Sequence, residues 1–489
     1  MVQAKLPDAF RSQMNELLGP ETNLFLKSYE APRTYGLRIN PLKTSTDSPI
    51  MAHVTERFRL EPVPWCATGY YYAPDTRPGK HPYYAAGLYY IQEPSAMRPA
   101  ELLDPQPGEA ILDLAAAPGG KTTQIAGKMA GRGVLVANEI HPARAKILSE
   151  NVERCGAANV IVTNAAPDEL SARLPAAFDR IMLDAPCSGE GMFRKDEQAI
   201  AEWSPEHVNL CAARQSSILD HAAVMLRPGG RLVYSTCTFN RKENEEVVEA
   251  FCAKYPDFSI RLIERIWPQR ERGEGHFAAV LQRKGVDDTP APTRADHLEA
   301  GRHGARFERL PGTSAGRPDN GKRSASMRKS PPHRTQNHSG LAGGMELFRT
   351  FAESALIGGL KLGPGMPLRF GDSLYWLPQT DQGGPITQDK LQGLKVARPG
   401  LHLGDIRKRR LEPAHALALA VRPEAAAWVQ SYGADSPEVA AFLRGETIPA
   451  RETAAGWGLV AADGMPLGWG KASGGQIKNH LPKGLRRLG

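Results

Sequence analysis

Two cysteines are placed to do chemistry. Cys187 follows the apolar run Phe178-Asp-Arg-Ile-Met-Leu-Asp184 by way of Ala185 and Pro186, and Cys237 closes the run Arg231-Leu-Val-Tyr-Ser-Thr. Each lies just past a strand-like pattern rather than inside it. Cys66, Cys155, Cys211 and Cys252 read instead as small buried hydrophobes. If the two strands are neighbours in one sheet, both thiols and Asp184 meet at one edge. A thiolate is the group needed to attack an unsaturated ring carbon. Adding sulfur to C6 of a pyrimidine turns C5 into a carbon nucleophile that can take a methyl group from a sulfonium donor. A second group must then remove the C5 proton, so that elimination restores the ring and frees the sulfur. Asp184, either held protonated or hydrogen-bonding the N3/N4 edge of the ring, supports that shift of charge. The residues alone leave open which thiol attacks.

The elements that must position these groups read as alternating β and α. Strands are expected at 110–115, 134–139, 159–164, 178–184, 231–237 and 276–282, with helices at 121–130, 141–155, 206–226 and 241–254. Pro228-Gly229-Gly230 is expected as the turn before the fifth strand. The succession predicts a mostly parallel sheet with helices on both faces, binding its ligand beyond the carboxyl ends of the strands. Glu109-Ala-Ile-Leu-Asp113-Leu-Ala-Ala-Ala-Pro118-Gly-Gly-Lys121 places a Gly-bearing turn between a strand and a helix start. Such a turn lets a ligand approach free backbone N–H groups. Its spacing is neither the GxGxxG dinucleotide fingerprint nor the GxxxxGK[ST] phosphate loop.

Around that core the pattern changes. Residues 1–104 form a first unit with a helix at 7–18 and a short strand at Tyr35–Asn40. The tyrosines between Trp65 and Tyr90 read as packing this unit against the next one more than as base-stacking surface. Residues 105–284 are the central α/β unit. The tract 285–340 is rich in Pro, Gly, Ser and Arg and reads as a basic linker. Residues 283–340 hold 12 Lys/Arg against 6 Asp/Glu, so most of the chain's net +8 sits there and not on the folded units. An accessory unit is expected at 341–440, with a helix at 345–362, strands near 367–370, 373–376 and 393–397, and a basic loop from Lys408 to His415. A small β unit at 441–489 ends in basic, Gly-rich loops suited to a nucleic-acid backbone. The six cysteines form no CxxC pair, which argues against zinc clusters and disulfide scaffolds. With neither a signal-peptide pattern nor a long apolar window, a cytoplasmic protein without membrane contact or metal is expected.

Five stretches together carry a resemblance: DLAAAPGGKTTQIA, DAPCSGEGMFRKD, STCTFNRKENEEVV, HPYYAAGLYYIQEPSAM and PLGWGKASGGQIKNHLPKGLR. The chain resembles the NOL1/NOP2/Sun family of S-adenosylmethionine-dependent RNA cytosine-5 methyltransferases, and within it the bacterial subgroup that modifies small-subunit ribosomal RNA. The resemblance covers most of the chain outside the basic tract. It implies an α/β fold with a Rossmann-like methyltransferase domain, an N-terminal α+β unit and C-terminal PUA-like RNA-binding units. It implies Cys237 as nucleophile, Cys187 in resolving the covalent adduct and Asp184 on the base. DNA cytosine-5 methyltransferases use the Pro-Cys cysteine instead. For S-adenosylmethionine it implies Asp113, Ala115, Ala116, Ala117, Pro118, Gly119, Gly120, Lys121, Glu139, Asn164 and Asp184. Glu139 is expected on the ribose hydroxyls, and Asn164 stands where many members place an aspartate on the adenine. For RNA it implies Arg38, Asn40, Arg194 and Lys195, to which the basic tail adds Lys478, Lys483 and Arg486.

The expected partner is small-subunit ribosomal RNA or the assembled subunit, with no obligate protein partner. The target base must leave its stack, which costs a few kcal/mol and is cheapest in a loop. The rivals are the same chemistry on transfer RNA and a non-catalytic RNA-binding assembly factor. Retention of Cys187, Cys237, Asp184 and Lys121 argues against the second.

Overall fold

The structure is a computed structural model describing residues 6–285, 338–360, 362–384 and 386–487. The basic tract expected as a linker lies, from 286 to 337, outside the described residues. At the centre is a sheet of eight strands. These are β1 (Ala110–Asp113), β2 (Val134–Asn138), β3 (Val160–Thr163), β4 (Phe178–Asp184), β5 (Leu226–Thr236), β6 (Phe258–Ile266), β7 (His276–Arg283) and β8 (Val396–Pro399). Their order is β6-β7-β5-β4-β1-β2-β3-β8. β3, β2, β1, β4 and β5 run parallel, while β7 is antiparallel to both of its neighbours.

The sequence of the inner strands explains their burial. β1, β2 and β3 are buried at every residue, as strands covered on both faces must be. Alternation then divides the core. Ile111, Leu135 and Met182 pack with Ile125 of α1 (Gly120–Lys128) and Leu148 of α2 (Pro142–Arg154). Leu112, Val134 and Ile181 pack with Leu170 of α3 (Pro167–Arg173), Leu219 of α4 (Pro205–Met225) and Phe251 of α5 (Glu245–Lys254). Pro142 and Pro205 stand at helix starts, where their missing N–H groups cost nothing. The order reverses at β1, which lies between β2 and β4, so the crevice of this sheet opens over the ends of β1, β4 and β5.

The structure departs from expectation at several elements. α3 and β6 were not anticipated. β6 is an edge strand whose charged residues Arg261, Glu264 and Arg265 break the alternation, with a register shift between Ile260 and Leu262. β5 already begins at Leu226 and runs through Pro228-Gly229-Gly230 instead of starting after it. Gly229, at φ 76°, absorbs the irregularity. The strand expected at 393–397 is β8, which adds to the outer edge of the central sheet, with Val396 opposite Thr163. Chain from beyond the basic tract therefore completes that sheet. The loop expected from Lys408 is the turn of a hairpin between Leu401–Arg407 and Arg410–Pro413. Among the described residues, no helix is long and apolar enough to cross a membrane.

The two ends of the chain are packed together. The strand Gly36–Ile39 pairs with Gly69–Tyr71 and Tyr89–Ile91. Tyr83 and Tyr89 are wholly buried, in one apolar cluster with Val439, Phe442 and Leu467. The Tyr83 hydroxyl donates to Asp463 Oδ2 at 2.7 Å. Tyr84 and Tyr90 instead lie under the Arg154 guanidinium of α2. The tyrosines thus join the first unit to the last one as well as to the next.

Candidate active site

β4 and β5 are direct neighbours, with Asp184 opposite Ser235, so the two cysteine loops leave the sheet side by side. Cys187 Sγ and Cys237 Sγ lie 3.4 Å apart, and both are free and partly accessible. The hydrogen bond to Cys237 and burial together push the Cys187 thiol well above its ordinary range.

Two buried carboxylates hold the thiols in register. Glu243 accepts from Ser188 N at 2.8 Å, Ser188 Oγ at 2.5 Å, Asn240 Nδ2 at 2.7 Å and Gln215 Nε2 at 3.1 Å. It thereby ties the residue after Cys187 to the loop after Cys237. Glu190 accepts from the backbone N–H of Phe239 and Asn240, and from Trp203 Nε1. Gly191 donates its N–H to Cys237 O at 2.8 Å, and a Cβ there would fall 2.8 Å from the same oxygen, so the close approach requires glycine. Glu190, Glu243 and His276 were not singled out from the sequence, although both acids lie inside the motif segments. Their value as staples appears only when the two loops are adjacent.

Asp184 is set beside one cation and two further polar side chains, of which His276 has its pKa lowered by burial and by Lys121. Lys121 Nζ lies 2.7 Å from its Oδ2, Ser235 Oγ donates to Oδ1 at 2.7 Å, and His276 Nε2 is 3.5 Å from Oδ1. Burial opposes its ionisation, but Lys121 and His276 prevail and hold the carboxyl well below the ordinary range. The protonated form entertained for Asp184 is therefore corrected: it is an anion. Its side chain keeps 34% exposure, enough to be reached from the crevice.

The loop after β1 is anchored by its carbonyls. Arg144 Nη2 donates to Ala117 O, Asn151 Nδ2 to Pro118 O, and Arg38 Nη2 to Gly120 O. Gly119 adopts φ 113°, a left-handed conformation suited to glycine. The first N–H groups of α1 have no partner within the helix, which suits the helix start to an anionic or polar ligand. Ala115 and Gly120 are partly accessible, Ala116, Ala117 and Gly119 are buried and Pro118 is exposed. Asp113, expected at the cofactor, has no exposed surface and accepts from Thr122 Oγ1 at 2.6 Å. It braces the helix start from beneath, and burial raises its pKa to about 7. Glu139, at the end of β2, holds His141 N with Oε1 at 2.9 Å and retains acceptor capacity for hydroxyls. Asn164 donates to Glu139 O and Ile140 O, fixing the bend after β2.

Three residues expected on RNA are turned inward. Arg38 is 1% exposed, bound to Gln92, Gly120 O and Thr123, and joins the first unit to α1. Asn40, 3% exposed, donates to Gly87 O and Cys155 O. Arg194 is committed to Glu274 at 2.6 Å and to the carbonyls of Ser28 and Gly273. Their donors are used up inside the protein, so they position structure instead of meeting RNA. Lys195 is partly accessible and helps hold partly buried Glu93 below its ordinary pKa against the effect of burial. Lys478 and Lys483 are exposed, and Arg486 donates to Leu481 O.

Comparison with known proteins covers almost every part of the chain. The family described as 16S rRNA methyltransferase RsmB/F matches residues 100–282, and the N-terminal domain of 16S rRNA methyltransferase RsmF matches 6–94. The RsmF first C-terminal domain matches 350–421, and the RsmF PUA domain matches 429–487. Ribosomal RNA small subunit methyltransferase F of Erwinia tasmaniensis is 32% identical over 99% of this chain and 97% of its own. The protein of the same description from Salmonella agona is 34% identical over the same shares. Among solved structures, a methyltransferase homologue from Pyrococcus horikoshii is 29% identical, with a TM-score of 0.51 over 57% of this chain and 95% of its own.

Proposed function

Since the chain belongs to the 16S rRNA methyltransferase RsmB/F family, we propose that it methylates C5 of a cytosine in small-subunit ribosomal RNA through a covalent bond between Cys237 and C6. The observation that carries this reading is the pair of thiols 3.4 Å apart beside an ionised Asp184. The work would be done in the cytoplasm, where that RNA is made and assembled.

The residues give each step a physical basis. The Cys237 sulfur is taken as the one that attacks, as the resemblance of its Thr-Cys-Thr segment implies, while the Cys187 thiol beside it is held protonated by burial and by its neighbour. Asp184, as an anion, accepts a hydrogen bond from the cytosine N4 amino group. Uracil would turn an oxygen to the same carboxylate and be repelled, so Asp184 supplies base selectivity. S-adenosylmethionine, when bound, supplies an electrophilic methyl group on sulfonium. The loop Ala115–Gly120, the start of α1 and Glu139 are the residues that would hold it, although Glu139 already accepts from His141 N and lies 3.5 Å from Arg144 Nη1. Once Cys237 is bonded to carbon, its hydrogen bond and charge no longer raise the Cys187 pKa. Cys187 gives its own proton to solvent and, as a thiolate, takes the C5 proton, and the Cys237–C6 bond breaks with its electrons returning to sulfur.

The test is transfer of a labelled methyl group from S-adenosylmethionine to assembled small subunits, to the same RNA stripped of protein and to bulk transfer RNA. Label on a cytosine C5 of small-subunit RNA is the expected result. Label confined to transfer RNA would overturn the substrate and keep the chemistry, and label on a ring nitrogen or ribose would overturn the chemistry.

A further inference from the structure

The two thiols of the crevice are also a matched pair for a second chemistry. Cys187 Sγ and Cys237 Sγ stand 3.4 Å apart, and both residues are free and partly accessible. A disulfide has an S–S length of about 2.0 Å, so only about 1.4 Å separates this pair from a bond. The chain entropy of bringing together residues 50 apart in sequence is already lost on folding.

Three ties hold the sulfurs at this distance. Glu243 accepts from Ser188 N on one loop and from Asn240 Nδ2 on the other. Glu190 accepts from Phe239 N at 2.7 Å and from Asn240 N at 3.0 Å. Ser188 Oγ lies 2.9 Å from Thr238 Oγ1, a contact that joins the loops one residue beyond each cysteine. Cys66 Sγ faces Thr68, Glu101 and Gln124 instead, and Cys155 and Cys211 are buried.

We propose that Cys187 and Cys237 form an oxidation site, closing to a disulfide under hydrogen peroxide and reopening under a dithiol, so that the crevice works only while reduced. One sulfur, as a thiolate, attacks a peroxide oxygen. An S–O bond forms, the O–O bond breaks, and hydroxide leaves and takes up a proton as water. The second thiol then loses its proton, and its sulfur attacks the sulfenic sulfur. The S–S bond forms, the S–O bond breaks, and that oxygen leaves as a second water. Two thiols are thereby oxidised by two electrons, and one peroxide is reduced to two waters. In the bonded form neither sulfur can add to C6 or take the C5 proton. A sulfenic acid with no neighbouring thiol is oxidised further, to a sulfinic acid that dithiols do not reduce, so each cysteine protects the other. A transient bond of this kind is compatible with a reducing compartment. The bond is independent of the proposed reaction, whereas the loss of activity rests on it.

The test exposes the full chain to hydrogen peroxide, alkylates it under denaturing conditions, and reads the intact mass and the unreduced peptides. Of the six free cysteines, four should remain alkylatable, with one pair of peptides joined through Cys187 and Cys237. Methyl transfer to small-subunit ribosomal RNA should fall about tenfold or more in step with the joined peptides, and dithiothreitol should restore it. In Cys187→Ala, the same exposure should put sulfinic acid on Cys237, and dithiothreitol should leave it there. A wild-type chain whose Cys237 gains sulfinic acid without joined peptides would overturn the proposal. A bond from either cysteine to Cys66, Cys155, Cys211 or Cys252 would do the same, as would six free thiols after an exposure that oxidises free dithiothreitol. Joined peptides in a chain that methylates no cytosine before exposure would support the oxidation site and sink only the proposed reaction.

Discussion

The crevice at the cysteine loops and the cleft at the C-terminal end solve opposite problems. At the crevice, the two acids that tie the cysteine loops together are buried and matched, as Glu243 shows with donors from Ser188, Asn240 and Gln215. At the cleft, lined by the helix His338–Ala355, the hairpin turn and the last strands, Arg409, Arg410, Lys471 and Lys478 are exposed and, among the described residues, none is within ion-pair distance of a carboxylate, Glu412 being paired with Arg407. A reaction needs atoms fixed to within tenths of an ångström, which only a buried, satisfied network provides. Holding a long polyanion needs only charge and a flat ring, which can be left open to solvent until the ligand arrives. The first arrangement is rigid and intolerant of change, while the second is graded.

That contrast can be broken at several points. The largest effect is expected from Cys237→Ala, which should lower methyl transfer at least about a thousandfold, measured in single turnover. Transfer near the wild-type rate would remove Cys237 as nucleophile. Next is Glu243→Ala, which takes an acceptor from four buried donors at once and leaves Ser188 N without the acceptor it has. It should cost about 3 kcal/mol or more of stability, read from the urea midpoint, and slow turnover with it. A loss under about 1 kcal/mol would mean that the staple is not what fixes the loops.

A smaller effect is carried by Asp113. Its folded pKa, about 7 against an ordinary 3.8, is raised by burial, so the folded chain binds an extra proton between those values. The stability this contributes is complete below about pH 4 and is lost as pH rises through about 7. The slope is at most about 1.4 kcal/mol per pH unit. Asp113→Asn should flatten that slope, measured as urea midpoints from pH 4 to pH 8, and parallel curves for the two proteins would refute the assignment. The smallest effect belongs to a single cation of the cleft. Lys478→Gln should lower the salt slope of RNA binding by about 0.7 with no change in the urea midpoint. An effect on stability as large as that of Glu243→Ala would erase the contrast between the two regions.

The same contrast explains what could be read from the sequence. The six inner strands and the placing of Cys187 and Cys237 follow from local pattern, since an apolar run ending in a polar turn needs no knowledge of distant chain. β8 could be read as a strand but not as part of the central sheet, because its partner β3 lies on the far side of the basic tract. Arg38 looked like a cation for RNA because its acceptors, Gly120 O and Thr123, are more than 80 residues away. Lys408 and Arg409 looked like a loop, because a tight turn between strands ordinarily calls for Asn or Gly. The C-terminal cleft needs three separate segments, so no one of them announces it.

The most direct measurement is on Cys187→Ala incubated with small-subunit ribosomal RNA and S-adenosylmethionine, then run on a denaturing gel. The account predicts a slow-migrating, RNA-dependent band that survives denaturation, because the methylated adduct forms on Cys237 and lacks the thiol that resolves it. The band should vanish in Cys187→Ala/Cys237→Ala. Reduced turnover with no such band, or a band that persists without Cys237, would contradict the division of labour between the two thiols.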